Sequence, residues 1–291
     1  ASLGLFVAVA SSGSHATKFV MTSPDGIVWT ERTVDSRSWN DVTWASALSL
    51  FVAVSQTADA AKQNVMTSTD GITWTLRTLT VGTVVSLNAV AWSPSLAVLV
   101  AVPKITSPMY VFTSVDGFTW ASRTVAANLE WESVTWSPEL ELFAAVASTG
   151  TANRVMTSPD GITWTTRVSD SDISWRGVAW SPAENIFAAV ASDGTIERVM
   201  TSTDVITWIG RSSIGYTSAS STDGTTWTDV NTLGNPMQND KLPSGNLYFQ
   251  RALTFQRKLY YPSDDYVLSP TAGHTAPPLR VFDGTVDREI I

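Results

Sequence analysis

The chain has no cysteine, two histidines in 291 residues, and charged side chains at only 15% of positions. Each scarcity removes a class of function. Without cysteine there is no disulfide framework, no zinc–thiolate site and no cysteine nucleophile. His15 and His274 stand far apart with no motif around either, which argues against a histidine pair for acid–base work or a histidine-rich metal site. Lys and Arg total 18 against 26 Asp and Glu, and the basic residues are dispersed, so the counterion-releasing footprint of a nucleic-acid binder is missing. No apolar run approaches the ~20 residues of a membrane-spanning helix. No leader is legible, and the chain opens at Ala1 in mid-repeat. No Gly-rich phosphate loop leads into a helix, and Asp264-Asp265 lacks the spaced oxygen ligands of a calcium loop. The expectation is a non-enzymatic protein with no cofactor and no metal, and with neither nucleic acid nor membrane insertion in its function.

What the chain has in abundance is repetition. Residues 134–167 read VTWSPELELFAAVASTGTANRVMTSPDGITWTTR, and 178–211 read VAWSPAENIFAAVASDGTIERVMTSTDVITWIGR. One series of tryptophans is Trp29, Trp74, Trp120, Trp164 and Trp208. A second is Trp44, Trp92, Trp136 and Trp180, and a third is Trp39, Trp131 and Trp175, with Leu87 in the equivalent slot. Trp227, in a shortened extra copy, completes the 13. Spacings of 44–48 residues signal a repeat architecture, and a residue present in every copy is then structural. A functional site is to be sought where the copies differ.

Each copy holds four short β-prone runs. In the fourth these are 131–136, 142–147, 154–157 and 163–167, separated by the turn-formers Ser137-Pro138, Thr149-Gly150 and Pro159-Asp160-Gly161. The run LFAAVA is apolar on both faces, as in a sheet sandwiched between neighbours, and no 3.6 period marks a helix. The fold class expected is all-β: a β-propeller of about five four-stranded blades over residues 1–231, followed by a C-terminal extended or β tail over 232–291. The first copy lacks the W-x-x-V-x-W run, so the ring closes either with a strand from the C-terminal region or through a sixth blade built on the 213–231 hairpin. The tail concentrates Pro, Tyr and Arg and has no Trp. It is expected to close the ring, or to anchor the domain and support oligomerisation.

The TSPDGITW segment predicts a type I turn followed by a glycine at positive φ, closing a hairpin with a bulge. Its copies are Asp25-Gly26, Asp70-Gly71, Asp116-Gly117, Asp160-Gly161 and Asp223-Gly224. In the fifth copy Asp204 is followed by Val205. A β-branched residue is strained at positive φ, so a different turn is expected there.

This motif is similar to the Asp-box of sialidases and related propellers, although Asp and Gly are adjacent here. The whole unit resembles repeats in virion proteins of tailed phages, over roughly residues 1–230. That resemblance implies a tail, fibre or capsid-surface component on an extracellular particle. Its partners would be other virion proteins, reached through the tail, and its state a homo-oligomer. A bacterial secreted or surface location is the alternative. One functional alternative is a lectin-like adhesin for host-surface glycans, with sites between blades. A weaker one is a sialidase-like hydrolase.

The candidate glycan-binding residues are Trp39, Trp131, Trp175, Arg37 and Arg176. The three tryptophans differ in parity from Val134 and Trp136, so strict alternation turns them to another face, where a ring could lie under a sugar. Packing between blades is their structural reading. A sialidase needs three converging arginines. The recurring Arg32, Arg77, Arg123, Arg167 and Arg211 occupy one repeat position instead, and Arg37 and Arg176 make no triad. Glu130, Glu132, Glu139 and Glu141 read as a solvated acidic loop.

Overall fold

The structure, a computed structural model, describes residues 4–11, 18–57, 63–79, 86–104, 109–193 and 198–211 in full, together with the backbone of short strands between 219 and 289. Five antiparallel sheets follow one another along the chain. The first has three strands, β1 (Phe6–Val9), β2 (Val20–Ser23) and β3 (Thr30–Arg32). The other four have four strands each, paired in sequence order. They are β4 (Trp39–Ala45) to β7 (Thr75–Arg77), β8 (Leu87–Ser93) to β11 (Ala121–Thr124), β12 (Trp131–Ser137) to β15 (Thr165–Arg167), and β16 (Trp175–Ser181) to β19 (Ile209–Arg211). Within them β5 is Leu50–Ser55, β9 is Val98–Pro103, β13 is Leu142–Ala147 and β17 is Ile186–Ala191. The strands expected in the fourth copy are therefore present within two residues at each end. The first copy lacks its inner strand among the described residues.

The first strands β4, β8, β12 and β16 lie side by side, and each second strand also touches the first strand of the next sheet. Sheets stacked in this way around a common inner ring are the blades of a β-propeller. Every residue of β5 and β9 is buried, because each blade is covered on both faces. Farther along, β20 (Ala219–Ser220) pairs with β21 (Thr228–Asp229). β22 (Leu253–Phe255) pairs with β23 (Lys258–Tyr260), and its backbone runs beside β16. β24 (Arg280–Phe282) pairs with β25 (Asp287–Glu289). Asp223-Gly224 and both histidines lie outside the described residues.

The cores are seams between blades. One gathers Trp131, Val134, Trp136, Phe143 and Trp164 with Val100 and Val102 of the preceding blade. Within a blade the rings keep a fixed geometry: Trp136–Phe143 centroids are 4.6 Å apart and Phe143–Trp164 6.3 Å, with matching values around Phe51 and Phe187. Such tilted pairs satisfy the quadrupoles of the rings while filling the space that the alanines leave open.

Two expectations need correction. The first concerns parity. Each inner strand carries a bulge directly after its first residue: the register skips Asn40, Asn88, Glu132 and Arg176. One extra residue shifts the alternation, so Trp131 returns to the face of Val134 and Trp136. Trp39, Trp131 and Trp175 are all 0% exposed. Each indole Nε1 donates to a backbone carbonyl four residues earlier, Asp35, Ala127 or Ser171, at 3.1 Å. Rings sealed in this way offer no face to a sugar. They are core residues, each burying apolar area worth roughly 4–6 kcal/mol.

The second correction is the turn at Val205. It keeps the geometry of the glycine copies, with φ 55° against 72–77° for Gly71, Gly117 and Gly161. Its amide donates to Ser202 Oγ at 2.8 Å, as Gly161 does to Ser158. The side chain is 1% exposed and packs in the seam with Ala144. Burial and the intact turn bonds hold a conformation that local sterics disfavour.

Candidate functional site: a polar belt and two unlike ends

The repeated polar residues are committed to their own blades. In the fourth blade Ser158 Oγ donates to Asp160 Oδ1 at 2.9 Å, and the same carboxylate oxygen accepts from the amides of Ile162 and Thr163 at 2.8 and 2.7 Å. Trp164 Nε1 closes the turn on Gly161 O at 3.1 Å. The other four described copies repeat these bonds. The carboxyls of Asp25 and Asp70 are held below their ordinary range by amide donors, from Val28 and Ile27 in one case and Thr73 and Ile72 in the other. At Asp116 and Asp160 partial burial pushes upward, but the turn amides and serine hydroxyl together outweigh it. The recurring arginines are equally bound. Arg32, Arg77, Arg123, Arg167 and Arg211 each donate Nε to a threonine hydroxyl ten residues earlier, at 2.8–3.0 Å. They are held blade by blade rather than converging on one carboxylate.

The copies differ at the bulge, and there the side chains form a belt across the inner strands. Asn40 Nδ2 donates to Asn88 Oδ1 at 2.6 Å, and Asn88 Nδ2 donates to Glu132 Oε2 at 2.6 Å. Asn88 Nδ2 also lies within 3.1 Å of Glu132 O. Glu132 Oε1 accepts from Ser148 Oγ at 2.7 Å and from Arg176 Nη1. Arg176 Nε donates to Ser192 Oγ at 3.1 Å. One residue from each of four successive blades is thereby linked. Asn88 is 2% and Glu132 5% exposed, so a carboxylate is buried here with three side-chain partners. At one end of the belt Asn40 Oδ1 is buried without a partner. Residues next to the bulge add blade-to-blade links: Asp41 Oδ2 accepts from the Val90 amide at 2.9 Å, and Ser133 Oγ from the Val178 amide at 3.2 Å.

Of the site residues expected from sequence, Arg176 enters this belt. Arg37 does not: it sits in the loop before β4, with Nε 2.7 Å from Asp35 Oδ1 and Nη2 donating to Gln63 at 3.3 Å. The supposed acidic loop is split. Glu141 is exposed, Glu130 is half-buried, Glu132 is in the belt, and Glu139 accepts from Trp180 Nε1 of the next blade at 2.5 Å. The belt was legible as one variable position, Asn, Asn, Glu, Arg, directly after an otherwise constant large apolar residue. Among the described residues no group of three or more His, Asp or Glu could hold a metal ion.

The two ends of the propeller are chemically unlike. The turns joining first to second strands and third to fourth strands emerge together at one end. Those turns contain the five turn aspartates with Glu139, Glu141 and Glu184, and no Lys or Arg. The same turns carry most of the exposed large apolar side chains. The opposite end holds Lys18, Arg37, Lys104, Arg154 and Arg198 in its loops.

Comparison with solved structures bears on the fold. The chain is similar to one in the crystal structure of a nidogen/laminin complex, with TM-score 0.58, 9% identity, and 89% of this chain and 84% of that one covered. It also matches YCF48 bound to a D1 peptide (TM-score 0.45, 17% identity, 60% of this chain) and the hydrazine synthase of Kuenenia stuttgartiensis (TM-score 0.44, 16% identity, 56% of this chain). The matched part spans about half the length of those two chains, 53% and 45%. No family model and no curated protein matches the sequence. The protein is a β-propeller of repeated blades.

Proposed function

We propose that this chain is a non-enzymatic component of a tailed-phage particle, a rigid propeller displayed for contact with neighbouring virion proteins or the host surface. Residues 232–291 would attach it, within a homo-oligomer. The observation that carries the reading is the commitment of the repeated polar groups. The aspartates staple hairpins, the arginines tie fourth strands to third strands, and the belt locks blade to blade. The result is a stiff body whose differences between blades lie inside, while its end surfaces are left for contact. The repeat unit's likeness to phage virion repeats supports the setting, with the Asp-box-like hairpin serving as a turn staple. A sialidase-like hydrolase is disfavoured because the recurring arginines do not converge. A lectin using Trp39, Trp131 and Trp175 is disfavoured by their burial.

The test is to purify particles by density gradient from a culture carrying the gene and probe them with antibody raised against the full chain. Signal should sediment with infectious particles, and deleting residues 232–291 should remove it from them. Signal confined to cell lysate overturns the reading.

A further inference from the structure

The hairpin turns repeat one feature that the fold does not require. The residue directly after the turn glycine, or after Val205, is Ile27, Ile72, Phe118, Ile162 and Ile206 in the five blades. These side chains are 55, 46, 45, 46 and 59% exposed. Their backbone amides cap the turn aspartates, so the side chains are held outward by the same bonds that make the turn. Nearer the axis, Leu96 and Leu140 on the turns between first and second strands are each 40% exposed. A single exposed leucine means nothing, but an apolar tip on every blade, all at one end, makes a surface of the kind that marks an interaction site.

The charge around these tips selects the occupant. Five turn aspartates and three glutamates lie in these turns, which themselves contain no Lys or Arg; among the described residues the one guanidinium over a tip is that of Arg77 in β7, 4.3 Å above the Phe118 ring. A second copy of this face would set carboxylates against carboxylates. A bilayer with anionic headgroups would be repelled, since such surfaces recruit lysine and arginine. We propose that the turn end of the propeller docks a basic, apolar segment of a partner protein, its aliphatic side chains seated among the isoleucine tips and its lysines or arginines facing the turn carboxylates. This deepens the display reading, resting on it only for the partner's being a neighbouring protein.

The test uses the full chain and a fluorescein-labelled 18-residue peptide of leucine and lysine with its leucines on one helical face. A counterpart peptide has glutamate in place of lysine. The lysine peptide should bind, the glutamate peptide should not, and raising salt should weaken binding, because exposed charges are screened. The variant I72S/I162S/I206S, altered only at exposed tips, should weaken binding at least tenfold. The variant V168S, altered at an exposed apolar residue just past β15 at the end of the blade opposite these turns, should bind as the parent does. Equal binding of the two peptides, or a loss under twofold in the triple variant, overturns the proposal. So does a dimer in sedimentation velocity that the triple variant abolishes, which would make a second copy the occupant. Failure of particle incorporation with peptide binding intact would sink the virion reading alone.

Discussion

The seam between the fourth and fifth blades offers a test of why Val205 is tolerated. In the earlier seams a valine of the second strand faces the turn glycine of the following blade: Val7 faces Gly71, Val52 faces Gly117 and Val100 faces Gly161. A Cβ on Gly161 would stand 2.8 Å from Val100 Cγ2, and one on Gly71 would stand 3.2 Å from Val7 Cγ2. In the last seam the strand residue is Ala144 and the turn residue is Val205, both buried in one cluster. Volume has been exchanged across the seam. Restoring only one side should therefore hurt. Ala144→Val should overpack the seam, at about 1–3 kcal/mol. Val205→Gly should lose roughly 1.5–3 kcal/mol of burial while recovering about 1–2 kcal/mol of left-handed backbone cost, for a smaller net loss. The double variant recreates the earlier seams and should match or exceed the parent, giving a coupling of about 1–3 kcal/mol that opposes the single losses. Urea midpoints of the four proteins, followed by tryptophan fluorescence, complete the cycle. Additivity within about 0.5 kcal/mol would refute the exchange, leaving Val205 as tolerated strain.

Three further outcomes follow from the same geometry. Glu132→Ala should lower thermal stability sharply, by up to about 3–5 kcal/mol, because it leaves the Arg176 guanidinium without its carboxylate and takes the charged acceptor from the buried Asn88 amide; Glu132→Gln should cost less. Trp136 Nε1 is buried without a partner, and the residue placed as Glu139 is for Trp180 is the short Ser95. Ser95→Glu should raise the melting temperature through a bond worth about 0.5–1.5 kcal/mol, whereas Glu139→Ala should lower it. The turn aspartates ionise more readily in the folded chain than their ordinary 3.8. Their contribution is complete above that value and fades as pH falls through the lower folded values. Acid titration should show stability dropping below pH ~4, and Asp70→Asn with Asp160→Asn should flatten the drop; an unchanged profile would assign the acid response elsewhere.

Much of the fold was readable because repetition averages out local ambiguity. Four β-prone runs per 44–48 residues, a two-sided second strand and an Asp-Gly hairpin at a fixed place all agree, and the strands fall where those signals put them. The bulge was not readable. Nothing in W-x-x-V-x-W distinguishes an alternating strand from one carrying an extra residue, since the skip is defined only by the partner strand. That one-residue shift turned Trp39, Trp131 and Trp175 from candidate platforms into core. It also turned Asn40, Asn88, Glu132 and Arg176, four residues with no shared chemistry, into neighbours.

The amino-acid sequence by itself determined the blade: its period, its strands, its hairpin and the residues that staple it. These depend on contacts within a single repeat, which local pattern encodes. Only the tertiary structure decided what crosses from blade to blade: the belt through Glu132, the bond from Trp180 to Glu139, the exchange of volume between Ala144 and Val205, and the gathering of five isoleucine and phenylalanine tips at one acidic end. Those pairings join residues more than 40 positions apart, and their partners are chosen by how the blades stack.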